Sequence, residues 1–488
     1  LLFGRLEVRS LSADSIIYAR NPVSTEEPGL PSPEAGGFSV PEFPVAIILE
    51  SLSVPSVRFG EQVFGLGSEI SVSGSMTLEG GAIDADLDIE RRDGPGGTLG
   101  LDLTFANQTR EIDLNLQLVE PENGILANLL NIEGRPEIAL GLSGSGPIED
   151  LEVGLTFDAG DERILTGAGS LNESGQGLAI DAALEGPIAN ILPAAYGDFF
   201  GAHTTLSLNA LLRDSGGLDL TRFNLSGGQL SFAASGETTE DWFLRRLDLE
   251  GEIGAADGSP VTLPVPGAAT RIEQARFSVD FGAEGSDDWL GTLQVLGLST
   301  PDFGAESVSL NANGVAANLD DPAPRRITFN GDGTAQGITA RSQEIADALG
   351  SSIGFGAAGL WAAGEPVQLA QLRLVGRALL LEMAGEIDGG VFDGNIDLNA
   401  DTLAPFSGLA GRDLSGAVAI NATGTLSPAI GGFDLILDGT ASNLSVGDPV
   451  ADSLIGGEAT LSGRVARTET GLAAENFALT TPEVSLTA

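Results

Sequence analysis

Glu111-Ile112-Asp113-Leu114-Asn115-Leu116-Gln117-Leu118 sets an acid or amide against an aliphatic residue at every step. Successive side chains of a β-strand point to opposite faces, so this segment makes a strand with one apolar and one polar face. The alternation extends in both directions. Leu99, Leu101, Leu103 and Phe105 precede it; Ile138, Leu140 and Leu142, then Val153, Leu155 and Phe157, follow. Further on come Leu206 and Leu208, Phe277, Val279 and Phe281, Val308 and Leu310, and Ile396 and Leu398. Val418 and Ile420, and Phe433, Leu435 and Leu437, complete the series. Clusters such as Arg92-Asp93-Gly94-Pro95-Gly96-Gly97 separate the runs. Gaps this short leave no room for crossover helices, which predicts antiparallel neighbours throughout. The chain reads as all-β.

Five segments, 121–134, 187–201, 341–350, 402–411 and 449–457, break the alternation with apolar residues three to four apart. Each predicts one or two helical turns stopped by a glycine. Strand patterning resumes soon after each except the third, which is followed by a glycine-rich stretch. A repeat is also visible. Phe223, Leu225, Leu230, Phe232, Ala234 and Gly236 match Leu372, Leu374, Leu379, Leu381, Met383 and Gly385 at an offset of 149. The first five recur at Phe477, Leu479, Val484, Leu486 and Ala488, a further 105 along. Unequal offsets favour an extended array of hairpins over a short-period solenoid. The expected organisation is one continuous elongated region over 1–488, part of a longer protein, with a Pro-rich flexible insertion at 21–44.

Composition narrows the chemistry. The 488 residues hold 23 basic side chains, all arginine, and 69 carboxylates, a net charge of −46. No lysine means no Walker-type phosphate loop and no Schiff-base nucleophile. No cysteine means no disulfides, thiolate chemistry or cysteine zinc sites. His203 is the one histidine. Nucleic acid and anionic membrane surfaces are poor partners for so acidic a chain, because binding them relies on basic patches. Hydrophobic content of 42% nevertheless supports a large apolar surface, so the charge does not signal disorder. No apolar run approaches the ~18 residues of a membrane-spanning helix.

The apolar face must be hidden. A sandwich core usually carries bulky aromatics, whereas this face is mostly Leu, Ile, Val and Ala. A transmembrane barrel needs aromatic girdles that two Tyr and three Trp cannot supply. An extended, curled antiparallel β-sheet forming a long hydrophobic groove, with a few short helices, fits better. About 28–30 strands at ~4.8 Å each would extend roughly 140 Å. The expected groove lining is Leu101, Leu103, Ile112, Leu114, Leu116, Leu118, Ile138, Leu140, Leu142, Val153, Leu155, Phe157, Leu206, Leu208, Val279, Phe281, Val418, Ile420, Leu435 and Leu437. Such a groove suits a linear acyl chain. At about 0.8 kcal/mol per methylene, a ~16-carbon chain costs roughly 13 kcal/mol to expose to water.

Gly4-Arg5-Leu6-Glu7-Val8, Ala19-Arg20-Asn21-Pro22-Val23, Leu30-Pro31-Ser32-Pro33-Glu34 and Pro41-Glu42-Phe43-Pro44-Val45 resemble the TamB family of the alphaproteobacteria. Gly134-Arg135-Pro136-Glu137, Gly144-Ser145-Gly146-Pro147 and Ala404-Pro405-Phe406-Ser407-Gly408-Leu409-Ala410-Gly411 resemble it too. The resemblance covers essentially the whole chain, which would lie between the family's inner-membrane helix and its C-terminal domain. AsmA-like relatives share the β pattern but not the Pro-rich stretch. The resemblance implies a repeating β-groove (β-taco) that spans the periplasm, moves phospholipid toward the outer membrane and engages a TamA-like outer-membrane barrel. It places the inner-membrane anchor outside this sequence.

Other motifs have plainer readings. Asp84, Asp86 and Asp88 could face a calcium ion, but suit the wet face of a strand and lack EF-hand spacing. Gly354-Phe355-Gly356-Ala357-Ala358-Gly359 matches a dinucleotide fingerprint, but needs a helix that Gly364 and Pro366 forbid; close backbone packing is expected. Gly141-Leu142-Ser143-Gly144-Ser145 lacks the last glycine of a nucleophile elbow, and His203 reads as a surface or edge residue. Trp242, Trp289 and Trp361 read as strand-end or rim packing. No catalytic, metal or cofactor site emerges, and the chain reads as a non-enzyme. Two other readings stay open: a scaffold or chaperone for outer-membrane barrel or autotransporter assembly, and a β-solenoid stalk.

Overall fold

The computed structural model describes residues 5–20, 45–94, 96–265, 269–427, 431–468 and 471–487. The Pro-rich segment 21–44 lies outside them. The fold is all-β, a curled, open antiparallel sheet with a few short helices. The 32 strands among the described residues fall into two compact units, Leu1–Leu244 and Arg245–Ala488.

In the first unit the strands from Ala46–Phe59 to Leu230–Thr238 pair in sequence order, each antiparallel to the next. The opening edge departs from the expected topology. Arg5–Val8, Leu11–Ser12 and Ile16–Tyr18 run parallel to Ala46–Phe59. Parallel pairing needs a connection of a dozen or more residues, and the stretch 19–45 supplies that length. Pro55 sits inside Ala46–Phe59 where the register shifts between Val54 and Val57, the kind of bulge that tolerates a residue without an N–H.

Helical turns occur in all five predicted segments, including Ile125–Leu129, Gly197–Phe200, Gln343–Leu349, Ser407–Ala410 and Pro449–Ile455. The glycine-rich sequel to the third is itself a strand, Ser352–Ala362. Insertions recur at intervals of four sheet strands, except the last, which comes after two. In the first unit it comes after Ala46–Phe59, Glu111–Glu120 and Gly177–Gly186. In the second it follows Leu244–Gly254, Arg326–Gln336 and Val391–Ala400, with one more after Gly432–Ser445. An even number of antiparallel strands separates successive insertions, so within a unit all of them leave from the same margin.

These insertions are fastened by polar contacts. Asn128 Nδ2 donates to Phe64 O at 2.9 Å, tying Ile125–Leu129 to the neighbouring turn Glu61–Phe64. The buried carboxylate of Glu120 accepts from the backbone N–H groups of Ile125 (3.0 Å) and Leu126 (2.7 Å), satisfying two donors at that helix start. In the second unit Gln343–Leu349 packs against Ser407–Ala410.

The repeated hairpin occupies an equivalent place each time. Leu218–Ser226 with Leu230–Thr238, Val367–Val375 with Leu380–Asp388, and Gly471–Thr480 with Ser485–Thr487 are each the second and third strands after an insertion. The bulges between Leu220 and Phe223 and between Leu369 and Leu372 coincide at the offset of 149.

Candidate functional site: an apolar row across each unit

Register decides whether separate alternating strands build one surface, since a slip of one residue moves a strand's apolar set to the opposite face. In the first unit Leu52, Gly74, Leu87, Leu101, Leu116 and Leu142 stand directly opposite one another, strand to strand. The row continues through Leu155, Gly167, Leu184, Leu206, Leu225 and Phe232. It crosses every strand from Ala46–Phe59 onward without a polar residue, over about 53 Å at ~4.8 Å per step. In the second unit the corresponding row is Gly251, Phe277, Leu293, Leu310, Gly333, Phe355 and Leu374. Leu381, Leu398, Ile420, Gly439, Leu461, Leu479 and Leu486 carry it to the last strand. That is about 62 Å. The three copies of the repeat place the same cross-strand pair on these rows: Leu225 with Phe232, Leu374 with Leu381, and Leu479 with Leu486.

The leucines from Leu87 to Leu225 on the first row are all half-buried, neither a dry core nor free surface. The margins of the same face are closed. At one end of the strands Ile148 packs with Phe105, against Leu78, Ile83 and Ile112. At the other, Ala127 and Ile132 from the insertion cover Ile138, Phe157 and Ile164. Between them runs a trough. Its floor includes the row through Leu101 and Leu116 and the adjacent row of Leu103, Leu114, Gly144 and Val153.

All the residues expected to line a groove in the first unit fall on this face, in two environments. Leu101, Leu103, Leu114, Leu116, Leu142, Val153, Leu155, Leu206 and Leu208 lie on the half-buried floor. Ile112, Leu118 and Leu140 are half-buried against the closed margins, and Ile138 and Phe157 are buried in one of them. In the second unit Val279, Val418 and Ile420 are half-buried, and Leu435 and Leu437 pack against a buried cluster of Leu369, Phe392, Ile396 and Ala422. Phe281 is buried opposite Leu247 and Trp289.

The other face is wet and carries the charge. Asp84, Asp86 and Asp88 stand opposite Thr104, Asp102 and Gly100, on one strand face as expected. Partial desolvation, a hydrogen bond with Asp102 and the nearby charges of Asp88, Asp102 and Asp84 raise the Asp86 carboxyl above its ordinary value. Among the described residues no group of three or more His, Cys, Asp and Glu side chains could hold a metal ion. Gly354 to Gly359 lie within the strand Ser352–Ala362 and open no helix. Ser143 sits mid-strand opposite Asn115 and Gly154, while exposed His203 has Glu185 at 3.6 Å. Trp289 donates from Nε1 to Thr328 O at 3.0 Å.

Sequence reading missed a concavity of about 870 Å³ on this polar face, over seven strands of the first unit. Asp113, Asn115, Ser143, Glu152, Ser170, Asp181, Asn209 and Arg222 line it. Asn209 donates to Asp181 within it. Comparison with family models, with curated proteins and with solved structures returns no match.

Proposed function

We propose that this chain is a periplasmic, bridge-like conduit that carries phospholipid acyl chains along an apolar groove between the inner and outer membranes, supporting outer-membrane biogenesis. The observation that carries the reading is the pair of unbroken apolar rows. A dry core would bury them, and a free surface would not place leucine opposite leucine across strand after strand. An acyl chain on such a floor recovers a large share of the ~0.8 kcal/mol per methylene that water withholds. The outer carboxylates keep the one-sidedly apolar sheet soluble and discourage edge-to-edge association.

The periplasmic place, the inner-membrane anchor and the TamA-like partner rest on the resemblance of the Pro-rich and glycine motifs. Purified chain extracted with organic solvent and examined by mass spectrometry tests the reading. Phospholipid should co-purify, or transfer from vesicles to lipid-free chain. Protein that neither carries nor takes up lipid would remove the proposal.

One observation favours a second reading, a scaffold for barrel or autotransporter assembly. The parallel edge strands expose Leu6, Leu11 and Ile17 at 42%, 54% and 69%. An unpaired edge is a place where an incoming strand adds by backbone hydrogen bonding.

A further inference from the structure

Resting on the conduit reading, we propose that glycines standing opposite large side chains on the apolar face set the clearance above it and fit it to an unbranched acyl chain. Side chains on a strand ordinarily stand roughly perpendicular to the sheet. Phe277 does not. Gly251 is its direct partner across the strand pair, and the three atoms closest to where a Gly251 Cβ would stand all belong to the Phe277 ring, Cε1 among them at 2.7 Å. The ring therefore lies across the neighbouring strand, in the space a side chain at 251 would fill.

The same device recurs. Phe355 lies over Gly333, with Cε2 and Cζ 2.5 Å from the missing Cβ, and Phe329 lies over Gly359 at 2.5 Å. These two pairs are reciprocal across the strands Arg326–Gln336 and Ser352–Ala362. In the first unit Leu184 lies over Gly167, its directly opposite partner. Each glycine lets the large side chain opposite it lie across the neighbouring strand, so at these pairs a chain running from strand to strand meets no upright side chain.

Gly251 offers the cleanest test. The three atoms nearest its Cβ position all belong to the Phe277 ring, and its φ lies outside the left-handed region, so alanine is compatible with the backbone dihedral there. Gly333 is a poorer site because Ser309 O also crowds it. In Gly251→Ala the new methyl must lift the ring off the apolar face. Removing the ring from that variant, in Gly251→Ala/Phe277→Ala, should clear the path again. The probe is the methyl ester of cis-parinaric acid, a neutral polyene chain that fluoresces in apolar surroundings, titrated into the full chain.

Gly251→Ala should bind it about tenfold more weakly, the equivalent of losing contact with one to two methylenes. The double variant should return to the wild-type affinity, with unchanged circular dichroism for both. Equal binding by wild type and Gly251→Ala would overturn the inference and leave the conduit reading standing. So would a loss that the double variant fails to rescue, since that marks damage to the strand. Failure of the wild type to bind the probe would overturn both.

Discussion

Leu116→Asp places a carboxylate at the centre of the trough floor. Leu116 stands between Leu101 and Leu142 on the half-buried row. Fully burying a leucine stabilises by about 1.5–3 kcal/mol, so losing a half-buried one costs about 1 kcal/mol of fold stability. The new carboxylate can reach water through the open trough and keep its charge. For a passing acyl chain the effect is larger. A hydrated carboxylate denies apolar contact to about four methylenes, roughly 3 kcal/mol, or on the order of a hundredfold slower passage. The assay is transfer of a fluorescent phospholipid between donor and acceptor vesicles, with a melting curve on the same sample. Transfer should collapse while melting shifts by only a few degrees. Ile138→Asp supplies the contrast: Ile138 is 0% exposed beneath the insertion, and an unpaired charge there should disrupt the fold itself. Normal transfer by Leu116→Asp, or its outright unfolding, would refute an open apolar floor.

Ile138→Ala should cost about 3 kcal/mol by leaving a cavity among Ala127, Phe157 and Ile164, measurable by denaturant melts against a loss near 1 kcal/mol for Leu116→Ala. Asn128→Ala should cost about 1 kcal/mol and speed hydrogen exchange in Glu61–Phe64 and Ile125–Leu129, because it removes the 2.9 Å tie to Phe64 O. A hydrogen bond from Arg464 holds the Asp434 carboxyl below its ordinary 3.8. A depressed folded value means that this stabilisation is present above pH 3.8 and is lost as pH falls through the lower folded value. In carbon-detected NMR titrations Arg464→Gln should move the Asp434 midpoint back up.

Strand identity was legible because the period-two pattern is local: Ile112, Leu114, Leu116 and Leu118 define their own face. The alignment of Leu116 with Leu101 and Leu142 was not, since register depends on turns and bulges between strands. Ser352–Ala362 escaped the pattern because Gly354, Gly356 and Gly359 carry no side chain to alternate; their partners across the sheet make it a strand. The parallel edge was illegible for another reason. Ile16–Tyr18 and Ala46–Phe59 are joined by a long connection, and length alone does not fix direction. The repeated hairpin was visible as a sequence offset, yet its meaning emerged only when Leu225, Leu374 and Leu479 fell on the rows. Glu120 shows what charge counting conceals, for its carboxylate caps a helix that closes the trough margin.

Site-specific photocrosslinking bears directly on where an acyl chain lies. A benzophenone amino acid at Leu101 or Leu142 faces the trough, and one at Asn115 or Ser143 faces the opposite side of the sheet. With phospholipid vesicles and illumination, lipid adducts should form at Leu101 and Leu142 and be absent at Asn115 and Ser143. Adducts at the polar positions alone, or equally on both faces, would contradict an apolar conduit.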